Sequence, residues 1–357
     1  MMAKKARTVE EQLTQAQRTL ISRARNVGTS AMAVPLSDGA CCYLCAAIIH
    51  DLGLLEEFPE VPKEIPSFFD TFPVTKLDLP GLDFDSLVGK LFSVVRDSDT
   101  YFACLAQLHK SRLKFEQILR RQSFATFDQV GPRCLLQYGN VNPRALAAML
   151  VWRKWLYDLD NRAAQETGYL FEPILANAVG GVPASAARSP VKRRADRGKG
   201  RQVDCIKGKR AYEFKMRVTI AASGQGRWAE ELAFPPDCRE SGYKPVLVCF
   251  DPTPNPKLEE LVRAFKSAGG ETFVGDAAWN HLEEQAGEVM SQFVERYVRK
   301  PVAAVMNALP ENLGHFSVTQ DEHGNVVFDI GGERLTIDRL PGDWGETDEE
   351  MPEDVDD

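Results

Sequence analysis

The stretch Arg201-Gln202-Val203-Asp204-Cys205-Ile206-Lys207-Gly208-Lys209-Arg210-Ala211-Tyr212-Glu213-Phe214-Lys215 decides the fold of this chain. Two alternating runs flank Gly208-Lys209, and a two-residue loop with glycine first suits a type II′ hairpin turn. With that loop Lys207 faces Arg210, and Asp204 faces Glu213. Directly opposed side chains place their Cβ atoms roughly 4.5–5.5 Å apart. Lys215 lies two residues beyond Glu213 and therefore shares its face. Val203, Cys205, Tyr212 and Phe214 fall on the other face, where a core can cover them.

Opposed carboxylates destabilise a strand pair, so something must compensate. Mg²⁺ prefers oxygen ligands, keeps several waters, and is often held by one or two carboxylates plus a substrate phosphate. Asp204 and Glu213 offer the carboxylates, the backbone carbonyl of Phe214 a further oxygen, and Lys215 an ammonium alongside. Such a set suits metal-assisted cleavage of a phosphodiester. On spacing alone, D-x₈-E-x-K is equally well a solvated ion cluster on a surface hairpin. The surrounding charge tips the balance.

From residue 188 to residue 217 the chain carries twelve bases (Arg188, Lys192, Arg193, Arg194, Arg197, Lys199, Arg201, Lys207, Lys209, Arg210, Lys215, Arg217). Against them stand three acids (Asp196, Asp204, Glu213), which leaves +9 in one segment. The last fifteen residues, 343–357, carry nine acids and no base, so the chain as a whole comes to −8. Its acidic balance therefore says little about the ligand of the core. A basic concentration around paired carboxylates suits a polyanion that bridges a metal. The acidic tail is expected to be disordered and solvating.

A chain of 357 residues with 44% hydrophobic content can bury a sizeable core. No run is apolar enough to span a membrane, and the start shows no signal peptide. A cytoplasmic location is expected. Its eight cysteines then read as reduced core thiols. Cys41-Cys42-x-x-Cys45 with His50 nearby would suit zinc only with a second cysteine pair at finger-like spacing, which the sequence lacks.

Along the chain, residues 8–27 read as a polar helix and 40–54 as a buried one. Residues 57–83 form an irregular loop, and 84–122 are helical. Asn142-Pro143 starts a helix to about 160, and a second follows over 163–179, stopped by Gly180-Gly181. A strand near 189–194 precedes the hairpin. A helix over 219–232, a buried strand over 245–250, a helix over 257–268 and a strand over 271–275 follow. Residues 277–308 are helical, and 316–338 form a hairpin about His323-Gly324-Asn325. The regions are 1–135, mostly helical; 136–300, the core; 301–340, a β-hairpin extension; and 341–357, the tail.

The order α-β-β-β-α-β, with an acid on the second strand and E-x-K on the third, resembles the PD-(D/E)-x-K nuclease superfamily. Asp204, Glu213 and Lys215 match that pattern position by position, with Val203-Asp204 standing where many members have proline-aspartate. Residues 201–205 and Thr219-Ile220-Ala221-Ala222-Ser223-Gly224-Gln225-Gly226-Arg227-Trp228 look like the ApaLI-like group of type II restriction endonucleases. The superfamily resemblance covers roughly residues 160–275, and the narrower one extends to about 300. The implied fold is α/β (α+β mixed): a restriction-endonuclease-like core with a central mixed sheet flanked by helices, plus an N-terminal helical region. Many members place a glutamate on the helix before the sheet, often as G-x-x-x-E. Gly168-Tyr169-Leu170-Phe171-Glu172 fits, but Pro173 disfavours a helical Glu172, so Glu166 is the substitute candidate.

The resemblance implies Mg²⁺ as cofactor and Asp204, Glu213, Lys215 and Glu172 as catalytic residues. It implies double-stranded DNA as substrate, cut at a short palindromic sequence to leave 5′-phosphates. A homodimer and a companion DNA methyltransferase go with that reading. Lys192, Arg193, Arg194 and Lys199 are expected at backbone phosphates, Gln202, Gln225 and Arg227 at base edges, and Arg201 is a further DNA-binding candidate. The rival readings are another nuclease of this fold (a repair endonuclease, a resolvase or a nickase) and an inactive DNA-binding protein.

Overall fold

The computed structural model describes residues 13–26, 34–216, 225–308 and 314–340. Its longer helices are α1 (Gln15–Arg25), α2 (Asp38–Asp51), α3 (Phe84–Val94), α4 (Ser98–Arg121), α5 (Pro143–Ala178), α6 (Gln225–Glu240), α7 (Pro256–Ser267), α8 (Asp276–Val294) and α9 (Lys300–Asn307). Five strands, β1 (Val182–Ala184), β2 (Val203–Lys207), β3 (Arg210–Lys215), β4 (Lys244–Cys249) and β5 (Glu271–Val274), form one sheet in chain order. β1, β2 and β3 run antiparallel, while β3, β4 and β5 run parallel. Parallel neighbours need crossovers, and α6 and α7 supply them. The result is the mixed, helix-flanked sheet that the sequence implied.

One face of the sheet packs Cys205, Tyr212, Phe214, Val246 and Val248 against Ile174, Leu175 and Ala176 of α5 and Ala278 and Leu282 of α8. The same apolar cluster continues through α2, α3 and α4. Helix α2 is buried all round, and Cys41, Cys42 and Cys45 lie within it as free thiols. Burial raises all three; Cys41 is pushed up to about 12 and Cys42 to about 11. The other face packs Val203, Ala211 and Leu247 against Phe234 and Cys238 of α6 and Leu261 and Phe265 of α7. A smaller sheet, β6 (Phe316–Gln320), β7 (Val326–Ile330) and β8 (Glu333–Ile337), lies on α4 and α5 through Val326, Phe328, Ile337 and Trp155. No helix among the described residues is long and apolar enough to cross a membrane.

Several local expectations are corrected. Residues 84–122 break into α3 and α4, and Asp97 between them takes a left-handed φ of 64°. The two helices expected over 142–179 are one 36-residue helix, capped where Asn142 Oδ1 accepts the Ala145 N–H at 2.8 Å. It continues through Pro173, although proline removes a helical N–H. Burial of Ile174, Leu175 and Ala176 holds the turn that the proline weakens. The first strand is β1, not residues 189–194; those make only a Lys192–Gly200 bridge. The described part of α6 runs from Gln225 to Glu240 through Pro235-Pro236, and residues 219–224 of the expected helix lie outside the described set. The C-terminal hairpin gains a third strand, β8. The acidic tail, 341–357, also lies outside the described residues.

Candidate active site on the second and third strands

The hairpin turn has the expected geometry. Gly208 has φ 58°, and Lys209 is not among the residues with positive φ, which is the type II′ pattern. The pairs Lys207–Arg210, Ile206–Ala211 and Cys205–Tyr212 follow in register. Beyond them the ladder yields to a side chain: Asp204 Oδ2 accepts the Phe214 N–H at 2.8 Å. Asp204 is thereby fixed on the backbone of β3. Lys215 O accepts the N–H of Phe250, just past β4. Successive residues of a strand direct their backbone groups to opposite edges, so the Phe214 carbonyl faces the Asp204 edge. Val203 departs from expectation. It packs with Ala211 and Leu247, opposite Cys205 and Tyr212, because β2 enters the sheet across a register shift against β1.

The acids and the lysine gather as the pattern required. Lys215 Nζ lies 2.9 Å from Glu213 Oε1. Asp204 is only 8% exposed. Its carboxyl is pushed well above the usual range, first by burial, then by the charges of Glu213 and Glu172, while the Phe214 N–H and Lys215 pull it back. The influence of Glu172 brings the end of α5 to this site. Glu166 is engaged elsewhere, paired with Lys114 of α4 at 2.6 Å. Three carboxylates with one ammonium make a donor set short of positive charge, which suits a divalent cation. Asp204, Glu213 and the Phe214 carbonyl are the oxygens that could hold it. Among the described residues no three His, Cys, Asp or Glu side chains converge as a ready-made metal site.

The basic segment looks different in three dimensions. Arg201 is 7% exposed. Its guanidinium donates to Asp237 Oδ2 (2.7 Å), the Glu230 carbonyl (3.0 Å) and Glu230 Oε2 (3.1 Å), all on α6. Arg193 pairs with Glu230 at 2.8 Å. Arg194 pairs with Asp237 at 3.3 Å, and Arg197 with Glu240 at 3.1 Å. Arg201, a DNA-binding candidate from the sequence, is buried and fastens the approach to β2 onto α6. Lys192, Lys199 and Gln202 are exposed, and the two lysines have no ion-pair partner among the described residues. Gln225 and Arg227 stand in the first turn of α6, with side chains outside the described set.

One neighbour was not singled out from the sequence. Glu231 of α6 places Oε1 3.6 Å from Lys215 Nζ. Its signal was the helix after the third strand, which carries Glu230, Glu231, Asp237 and Glu240 directly after a basic segment. Glu230 and Asp237 are seven residues apart, which puts both on one side of a helix.

Comparison with known proteins places the chain in a family. The family described as ApaLI-like restriction endonuclease matches residues 79–299. The type II restriction enzyme ApaLI of Acetobacter pasteurianus is 57% identical over 219 residues, which are 60% of this chain and 58% of that enzyme. The match thus spans less than two thirds of the relative's length. It also leaves β6, β7 and β8 outside the family segment. No solved structure matches the chain.

Proposed function

Since this chain belongs to the ApaLI-like restriction endonuclease family, we propose that it is a type II restriction endonuclease. It hydrolyses phosphodiester bonds of double-stranded DNA at a short palindromic sequence, requires Mg²⁺, and leaves 5′-phosphates. The observation that carries this reading is the cluster of Asp204, Glu213 and Lys215, with Glu172 close enough to raise Asp204. The relative is a type II restriction enzyme, which supports the same class.

Asp204, Glu213 and the Phe214 carbonyl would hold the ion. The chemistry that Mg²⁺ supplies when bound is polarisation of the phosphoryl oxygens, activation of water and stabilisation of the leaving 3′ oxygen. Asp204 contributes a carboxylate whose direction is fixed by the Phe214 N–H. Lys215 keeps an ammonium at the edge of the site, where it orients the attacking water and offsets charge that builds on the phosphate. Glu172 orients a water or shares a second cation from the end of α5. Lys192 and Lys199 contact phosphates, and Gln202, Gln225 and Arg227 meet base edges.

A palindromic site calls for two copies of the chain, one per strand. Leu135 and Leu136, 80% and 89% exposed just before α5, are apolar side chains that such a homodimer could cover. A companion methyltransferase would protect the host's own copies of the sequence.

The test is digestion of a mixed-sequence plasmid with Mg²⁺, followed by sequencing of the ends. Discrete fragments ending in 5′-phosphate are expected from the wild type, and none from Asp204→Ala. A smear, nicking alone, or undiminished cleavage by Asp204→Ala overturns the assignment.

A further inference from the structure

The Lys215 ammonium stands between two carboxylates on different elements. Glu213, on its own strand, is at 2.9 Å, and Glu231, on α6, is at 3.6 Å. A lysine bonded to Glu213 occupies an oxygen that a cation would need. The backbone that carries Glu231 is firmly placed: Phe234 and Cys238 of the same helix are buried against Ala211 and Leu247. The neighbouring Glu230 and Asp237 grip Arg201 at the entrance to β2. Glu231 is therefore a fixed acceptor within a short movement of the ammonium.

We propose that Glu231 is a positioning residue of this site, taking over Lys215 when Glu213 turns to a divalent cation. This rests on the assignment of Asp204, Glu213 and Lys215 as the cleavage site. Lys215 then remains an ammonium beside the scissile phosphate without blocking Glu213. Without Glu231 the lysine has Glu213 as its one close ion-pair partner among the described residues and stays on it. The electrostatics agree. Burial works against the Lys215 charge, but Glu213 and then Glu231 more than offset it and hold the group above the ordinary lysine value.

The test is Mn²⁺ binding, measured by calorimetry on the full chain without DNA. The proteins are the wild type, Glu231→Gln, Lys215→Met and the double variant, with Asp204→Asn to locate the site. Glu231→Gln is nearly isosteric, and its thermal midpoint serves as the folding control. It should weaken Mn²⁺ binding roughly two- to fivefold, the range of a partly exposed ion pair. Lys215→Met should tighten binding. The double variant should bind as Lys215→Met does, because Glu231 acts through the lysine. In plasmid cleavage, the half-saturating Mg²⁺ concentration of Glu231→Gln should rise by the same factor. Unchanged Mn²⁺ affinity in Glu231→Gln overturns the proposal. So does a double variant that keeps the full penalty, since Glu231 would then act on the cation directly. If instead Asp204→Asn binds Mn²⁺ as well as the wild type, the assignment of the site itself fails, which is a separate result.

Discussion

Replacing Arg201 with methionine should destabilise this protein by about 3 kcal/mol and leave its affinity for DNA unchanged. The guanidinium makes three hydrogen bonds to α6, and its partner Asp237 is 2% exposed. Breaking a buried ion pair by removing one member costs about 3–5 kcal/mol, because the other charge is left in a poor solvent. Asp237 keeps two other contacts, the Arg194 N–H at 3.0 Å and the Arg194 side chain at 3.3 Å. These place the expectation at the lower end of the range. The assay is urea unfolding at pH 7, followed by tryptophan fluorescence. Arg201→Met with Asp237→Leu should recover most of the loss, since an apolar pair can replace a buried ion pair at little net cost. DNA affinity of the folded variant is measured at several salt concentrations well below its unfolding midpoint. A stability loss under about 1 kcal/mol refutes this fastening role, and it does so most clearly if DNA affinity also falls and the salt slope shrinks by about one. That slope is the signature of a lost phosphate contact.

Three further outcomes are expected. Glu172→Gln should lower kcat/KM for cleavage on the order of 10²-fold, whereas Glu166→Gln should leave cleavage intact and cost less than about 1 kcal/mol in urea unfolding; the opposite ranking would move the third acid to Glu166. His109 is buried and held down to about 4 by burial and then by Arg112, so it folds neutral. The unfolded chain binds the extra proton first, so stability is complete above about pH 6.5 and falls as pH drops towards 4, by about 3 kcal/mol; His109→Leu should remove that part of the pH dependence, and parallel curves for the two proteins would refute it. Asp97 is the one non-glycine residue with positive φ among those described; Asp97→Gly should raise the urea midpoint by the equivalent of about 1 kcal/mol, and a lower midpoint would show that the aspartate is held there by more than its backbone.

The hairpin was legible because everything that sets it is local. Alternation places the side chains, and Gly208 supplies the positive φ that the turn needs. The strands β4 and β5 and the helix α7 were legible for the same reason, through a continuous apolar run, a short β-rich run and a one-sided helix with capping residues at both ends. What escaped was set by packing. β1 is three residues of Val-Pro-Ala, too short to show a period, and it exists because β2 lies beside it. The face of Val203 depends on a register shift with that same strand. Pro173 reads as disfavouring a helical Glu172 by a local rule, and the core around Ile174 and Leu175 holds the helix through it. The turn also put Asp204 near Glu213, though the regular ladder ends at Cys205–Tyr212 and Asp204 bonds the Phe214 N–H. Arg201–Asp237 and Lys215–Glu231 join residues on separate elements, and no period in the sequence links them.

The same helix changes the electrostatic argument for DNA binding. Counted along the sequence, twelve bases seemed to face a polyanion. In space, Arg193, Arg194, Arg197, Arg201 and Lys215 are matched by acids of α6, and Arg210 pairs with Glu271 of β5 at 3.6 Å. Arg188, Lys192, Lys199 and Lys209 are the exposed bases of the segment that have no acidic partner among the described residues. Each neutralised phosphate contributes about −0.9 to the salt slope, so these four could supply a slope of about −4, far short of what twelve would give. The segment therefore serves as a scaffold as well as offering these exposed bases to DNA. Its arginines tie α6 to the approach to β2, while Glu231 of the same helix meets Lys215 at the end of β3. A change that loosens α6 should thus disturb the proposed cleavage site before it weakens DNA binding, because the helix touches Lys215 directly, whereas Arg188, Lys192 and Lys199 sit on the segment before β2 and Lys209 in the hairpin turn.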